Sequence, residues 1–442
     1  MKRLSNAVFR WYQRAVNSIG FYPTLIAAAM ALLCALTMRL EFAGPVMHAK
    51  QAAGLDFVSD PDNARVILGT IVGGIISLTV FSFSMVMVVL NRASATLSPR
   101  VIPGLVTRRS HQYTLGVYVG TIVFALLTIL EIRNGDSFKD VPQIGVVVSV
   151  ALTVLCLVLF VYFIHSISEA IQVDVIIQDL FDTTVGCLDA RRAKLDDSAP
   201  EWRWPADGDW HAIDAVVPGY FRSVNEKLLV PLLRSHDLVA TVTVPRGTFV
   251  VRGRPLLRTS APVDDAVARE LLSCFVFYTE ENPREHFYYG FKQIMEIAVK
   301  ALSPAINDPG TGIKCMDLLS VLFARHLALP ELDVAVDDSG TIRLYYPEAS
   351  LDWLLYRIVT PIREYGEQDS NVMLSVLEGL KNILYADSSS AQERVIVAHI
   401  RSVCESIDHS LKNTLDREVL NEYIDKINSV LSASEPIEPL SE

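Results

Sequence analysis

The sequence contains no Cys-x-x-Cys pair, no His-Glu-x-x-His and no His-x-His. Its six cysteines (Cys34, Cys156, Cys187, Cys274, Cys315 and Cys404) and nine histidines are dispersed over 442 residues. That dispersal excludes a disulfide framework or a zinc site and fits a reducing compartment for the bulk of the chain. No metal ligand set and no cofactor are expected. An excess of basic residues is also missing: 39 Lys and Arg stand against 50 Asp and Glu, a net charge of -11, whereas a nucleic-acid partner needs a basic surface. Enzyme signatures are lacking too, with no Gly-x-Ser-x-Gly, no Gly-x-Gly-x-x-Gly after a strand and no kinase set, so no catalytic residue is named.

What is present is apolar. Hydrophobic residues make up 51% of the chain and the mean hydropathy is +0.32, too high for an ordinary soluble protein. Four stretches, about 21 to 40, 66 to 90, 114 to 130 and 144 to 165, are long enough to cross ~30 Å of hydrocarbon as helices. They define a four-helix transmembrane domain over 21 to 165. Residues 1 to 20 carry Lys2, Arg3, Arg10 and Arg14 without an acid, and 91 to 113 carry Arg92, Arg100, Arg108 and Arg109, again without one. The connections 41 to 65 and 131 to 143 hold Glu41, Asp56, Asp60, Asp62, Glu131, Asp136 and Asp140. Because Lys and Arg are retained on the cytoplasmic side, both termini are expected in the cytoplasm, with the chain multi-pass in the inner membrane. The aromatic and basic segment within 1 to 20 reads as an interfacial helix.

The second span has a feature beyond hydrophobicity: Thr70, Ser77, Ser84, Asn91 and Ser98 recur every seven residues. Such positions drift only ~20° per heptad on a helix and so share one face. Two readings are open. The face packs against other helices, as the nearby Gly69-x-x-x-Gly73 and Gly74 suggest, or copies of the helix surround an axis and the stripe lines a polar path. The span centres carry no Asp, Glu, Lys, Arg or His, which removes the proton relays and charge sensors of pumps and voltage-gated proteins.

Beyond the spans the pattern changes. Residues 166 to 195 continue as a stalk helix, with Val173, Ile176, Ile177, Leu180 and Leu188 on one side and Asp174, Gln178, Asp182 and Asp189 on another. Alternation around Pro245-Arg246-Gly247 and Arg252-Gly253 predicts a small β-module over 211 to 260. Residues 261 to 433 read as a mainly helical domain with further strand candidates at 273 to 280 and 340 to 347, and 434 to 442 as a disordered acidic tail. The acids of TEENPREH (279 to 286) and ELDVAVDD (331 to 338) read as solvated faces. The fold class is thus an α-helical membrane protein with a mixed α+β, mainly helical cytoplasmic domain.

One loop in that domain, ALSPAINDPGTGIK at 301 to 314, reads as a helix stop, turn and restart, with Asp308 as N-cap and Pro309 at the first position. The same residues also suit a ligand loop, since the N-H groups at Gly310, Thr311 and Gly312 are free at a helix start. A corner needs a cap and a proline but not Asn307, Asp308 and Thr311 together, so these three are the site residues named here.

Two blocks, SATLSPRVIPGL and REHFYYGFKQIMEIAVKALSPAINDPGTGIKCMDLL, resemble a bacterial family of predicted membrane proteins, domain of unknown function 2254. The pattern falls on Arg284, Gly290, Glu296, Ala301 to Pro304, Asn307 to Pro309, Thr311 and Asp317. Two departures stand out: Glu285-His286 where the family commonly shows Gln-Asp, and Gly312 where it shows alanine. The resemblance implies the transmembrane arrangement and carries no established activity. The expected function is an oligomeric channel or channel-like protein controlled by its cytoplasmic domain, with the lipid bilayer, further copies of the chain and a small ion or ligand as partners. The alternative is a membrane-anchored sensor or scaffold whose cytoplasmic domain binds a ligand or protein.

Overall fold

The computed structural model describes residues 20–41, 60–96, 109–133, 141–170, 172–196, 209–278, 283–284, 286–387 and 390–441. The expected interfacial helix at 1 to 20 lies almost wholly outside these residues, as does Ser98. Two compact units emerge, 1–175 and 176–442.

In the first unit α1 (Phe21–Glu41), α2 (Pro61–Thr96), α3 (Arg109–Leu130) and α4 (Gln143–Ala170) are all long and apolar enough to cross a membrane. α3 packs against each of the other three, and its buried positions repeat at 114, 118, 121, 125 and 128, the spacing of a helix facing neighbours on a central seam. Close approach depends on glycines that the sequence reading passed over. A Cβ at Gly116 would stand 2.6 Å from Ile26 Cδ1, and one at Gly120 2.7 Å from Met30 Cγ. Gly116-x-x-x-Gly120 is therefore the small-residue groove that seats α1. Gly69, Gly73 and Gly74 on α2, the expected packing pattern, have nothing within 4 Å of a Cβ.

Where a stalk helix continuing the fourth span was expected, α5 (Val173–Asp196) is a helix separate from α4, which ends at Ala170. The β-module has strands β1 (His211–Asp214), β2 (Gly219–Val224), β3 (Ala240–Val242), β4 (Phe249–Val250) and β5 (Pro255–Thr259), with α6 (Glu226–Ser235) between β2 and β3. It does not close within 211 to 260. β6 (Phe275–Tyr278), after α7 (Asp265–Leu272), completes a three-stranded sheet β4-β2-β6, and β7 (Leu332–Val336) and β8 (Ile342–Pro347) complete a five-stranded sheet β1-β5-β3-β8-β7. The β3 to β8 pairing is parallel and every other pairing antiparallel. A parallel neighbour needs a long crossover, which local alternation does not reveal. Phe221, Leu233, Val242, Leu257, Phe275 and Leu344 share one buried core across these elements.

The helical part comprises α8 (Phe287–Leu302), α9 (Pro309–His326), α10 (Leu351–Gly366), α11 (Ser370–Ala386), α12 (Glu393–Ser410) and α13 (Thr414–Asn428). The tail expected to be disordered is held instead. Glu393 accepts the N-H groups of Ser432, Ala433 and Ser434 at 3.2, 2.9 and 2.7 Å, Asn428 exchanges two hydrogen bonds with Ile437, and Ile437 and Leu440 are buried. The two apolar side chains and the backbone partners supplied by α12 and α13 outweigh the acidic composition on which the expectation rested.

Candidate functional site

The outer face of α2 comes first, because the sequence reading placed a site there. Thr70, Ser77, Ser84 and Asn91 are all exposed within the chain. Three of the hydroxyls donate to their own helix, Thr70 to the Val66 carbonyl at 2.7 Å, Ser77 to Gly73 at 3.0 Å and Ser84 to Val80 at 2.9 Å. Such back-bonding satisfies a hydroxyl in apolar surroundings while leaving its second lone pair outward. The heptad spacing places these residues on one face, which is left uncovered among the described residues.

At the corner joining α8 and α9, all three named side chains have local duties. Asn307 has a φ of 51°, a left-handed conformation that asparagine tolerates better than most residues. The Asp308 N-H donates to the Ala301 carbonyl at 2.8 Å. The Asp308 carboxylate accepts from the Thr311 N-H at 3.2 Å and from the Thr311 hydroxyl at 2.6 Å. The combination that a corner was expected not to need is the combination that makes this one. At Gly312 a Cβ would lie 2.7 Å from Leu302 Cδ2, so the glycine in place of the family's alanine leaves room for that leucine.

The strongest concentration of buried charge lies where stalk, sheet and helices meet in the second unit, and none of its central residues was singled out as a site from the sequence. Glu348, just past β8, has a side chain only 1% exposed. His286 Nε2 lies 2.9 Å from Glu348 Oε2, Arg246 Nε 3.4 Å from Oε1, and Arg191 Nη1 3.6 Å from Oε2. The four residues come from the end of β8, the N-cap of α8, the β3–β4 turn and α5. The guanidinium of Arg246 also lies 3.8 Å from Asp333 on β7 and over the Tyr346 ring, and the Tyr346 hydroxyl donates to Glu226 on α6 at 2.6 Å.

The protonation states follow from geometry. His286 Nδ1 accepts the Tyr288 N-H at 3.3 Å, so its proton is on Nε2, donated to Glu348, and the ring is neutral. Burial lowers its pKa in the same sense. Burial alone would raise Glu348, but His286, Arg246 and Arg191 together hold it down at about 2. Burial pushes the Asp333 carboxyl above its usual range. The phenol of Tyr346 is raised by burial and then by Asp333 and Glu226.

Arg191 keeps donors that make no hydrogen bond among the described residues, and His326 is buried beside it. Arg191, its side chain 10% exposed, donates through Nη2 to the Pro330 carbonyl at 2.7 Å, while Nε and Nη1 make no hydrogen bond. His326, 2% exposed, lies beside the Ala349 backbone, and burial lowers its pKa to about 4. The ring of Phe287 lies between these groups, under Arg191 and beside both His286 and His326.

The family pattern becomes intelligible around this cluster. A Cβ on Gly290 would stand 1.8 Å from Thr184 Oγ1 of α5, so the glycine lets α8 touch the stalk. His286 caps α8, its Nδ1 accepting from the second N-H of the helix and its Nε2 donating to Glu348. Arg284 is exposed in the turn before α8, Glu296 is half-buried on α8 and Asp317 is exposed on α9. Of the acids of 331 to 338, expected on a solvated face, Glu331 and Asp338 are exposed as expected, whereas Asp337 is buried and takes the Ser339 and Thr341 N-H groups and the Arg343 guanidinium. The available sequence signal was a lone Glu348 between a strand and a helix cap; without knowledge of the β3–β8 pairing nothing joins it to Arg246.

Four helices long and apolar enough to cross a membrane, followed by a unit of mixed sheet and helices, define a membrane protein. The chain belongs to the family of predicted membrane proteins called DUF2254, whose model matches residues 16–382. Similar proteins include uncharacterized proteins of Mycobacterium tuberculosis and Mycobacterium bovis, each 25% identical over 392 residues that cover 85% of this chain and 74% of the relative. No solved structure matches the chain.

Proposed function

We propose that the protein is an oligomeric, channel-like membrane protein whose copies meet along the outer face of α2, with the soluble unit controlling the assembly from the cytoplasmic side of the inner membrane. One observation carries this reading: α2 turns a face of Thr70, Ser77, Ser84 and Asn91, with three open glycines beside it, away from its own bundle. Small and hydroxyl residues let helix backbones approach closely, and hydroxyl stripes line polar paths without the cost of a buried charge. Around a shared axis the same face serves both purposes. The control element is the Arg191 to Glu348 linkage, which ties α5, the helix that follows the fourth span, to the sheet and to α8.

Ion flux from proteoliposomes tests the proposal. The wild type is expected to conduct, and Ser77→Leu with Ser84→Leu to reduce flux at least several-fold while the protein stays folded. Flux from no form of the protein would remove the channel reading. The sensor reading, a membrane-anchored protein whose second unit binds a ligand, draws on a different observation: the Nε and Nη1 donors of Arg191, which make no hydrogen bond among the described residues. It predicts that a bound small molecule raises the thermal midpoint of the wild type and not of Arg191→Gln. The corner at Asn307, Asp308 and Thr311 is assigned a structural role in both readings.

A further inference from the structure

The end of the β-module carries a group of exposed apolar side chains that the proposed assembly does not use. Val216, Val217, Tyr220, Phe249 and Val251 are 53, 56, 38, 50 and 53% exposed. Backbone hydrogen bonds make them neighbours: Gly253 N-H donates to the Ala215 carbonyl and Ala215 N-H to the Arg254 carbonyl, each at 2.9 Å, and Tyr220 pairs with Phe249 across β2 and β4, their rings 5.1 Å apart. The loop 215–218 and the turn 251–254 thus stand side by side at one end of the module. The turn is tight, with Gly253 at a φ of 83°, which presents Val251 and Arg252 at its tip.

Scattered exposed apolar residues need no explanation, but a contiguous group marks a binding surface. Charge narrows the occupant. Arg252 and Arg254 in the turn are exposed, and Asp214 is the one carboxylate among the described residues of 214–220 and 249–255, on a chain whose net charge is -11. A local basic excess beside valine, tyrosine and phenylalanine suits the headgroup region of an anionic bilayer, where amphipathic rings settle and each arginine gains from the negative surface potential. Four spans keep the module tethered to lipid, so the encounter is intramolecular and weak contacts suffice.

We propose that this end of the β-module docks on the anionic membrane surface, its apolar side chains entering the interface and Arg252 and Arg254 meeting lipid phosphates. The occupant is lipid and not a second copy of the chain. This inference needs only the membrane anchoring and stands whether or not the protein conducts.

The test is photocrosslinking with full-length protein in nanodiscs. A benzophenone amino acid replaces Val217 or Val251 and, as a control elsewhere on the soluble unit, Leu415, which is 67% exposed. With anionic lipid, both tip positions are expected to give lipid adducts and Leu415 none. Arg252→Glu with Arg254→Glu, or a change to zwitterionic lipid, is expected to lower the tip adducts roughly tenfold, with an unchanged thermal midpoint confirming that the variant folds. Crosslinks at the tip only to a second protein chain, an absence of lipid adducts there, or equal adducts at Leu415 would overturn the proposal.

Discussion

Glu348 is the side chain on which the buried cluster balances. Its neighbours are two guanidiniums and a neutral imidazole that donates to it, so removing the carboxylate strands Arg246 and Arg191 in the interior. Glu348→Ala is expected to destabilise the second unit by about 3–5 kcal/mol, read as a lowered thermal or denaturant midpoint of the purified protein. Gly290 is constrained by space and not by charge. Gly290→Ala places a methyl against Thr184 and is expected to cost about 1–3 kcal/mol, whereas Gly290→Ala combined with Thr184→Ala should recover much of the loss; a single variant with wild-type stability would refute the contact.

His326 gives the cluster a pH dependence whose sign is fixed by burial. Its folded pKa of about 4 lies below the value of about 6.5 expected when unfolded. Below about 6.5 the unfolded chain takes up a proton that the folded chain refuses, so stability is full above that pH and falls as pH drops towards 4. The loss at pH 5 is about 2 kcal/mol, and His286, lowered in the same direction by burial, adds to it. His326→Phe is expected to show a shallower fall in thermal midpoint between pH 7 and pH 5 than the wild type, and an equal fall would contradict the assignment.

At the scale of elements, the helix boundaries and the sheet followed different rules. Four spans and the stop at Pro304 with a restart at Asp308 were legible, because length, apolar content and capping act locally. β8 was visible as a strand, but its parallel partner β3 is separated from it by about a hundred residues of chain, and no local alternation encodes that pairing. The glycine patterns of α2 and α3 look alike on paper. What separates them is the partner: α1 fills the groove of Gly116 and Gly120, and nothing among the described residues fills that of Gly69 and Gly73. The tail illustrates a composition overruled by specific contacts. Truncation after Val430 removes the donors that hold the Glu393 carboxyl down at about 2, chiefly the Ser432 hydroxyl and the N-H groups of residues 432–434. It is expected to accelerate hydrogen exchange in α12 and α13 while leaving α8 and α9 unchanged.

At the scale of the whole molecule, the membrane unit has a polar helix face on α2 left uncovered among the described residues, and the second unit is tied together by a buried ionic junction. The candidate site was only half legible. The stripe on α2 could be read because it is periodic, whereas Arg191, Arg246, His286 and Glu348 are single residues far apart in sequence that only the fold assembles. The central claim, that copies of the chain meet along α2, is tested most directly by disulfide crosslinking of single-cysteine substitutions in native membranes. Thr70→Cys, Ser77→Cys and Ser84→Cys are expected to form covalent dimers. Leu68→Cys, Ile75→Cys and Ser82→Cys, which replace residues buried within the chain, should form none. Dimers at none of the outward positions, or equally at all six, would contradict the account.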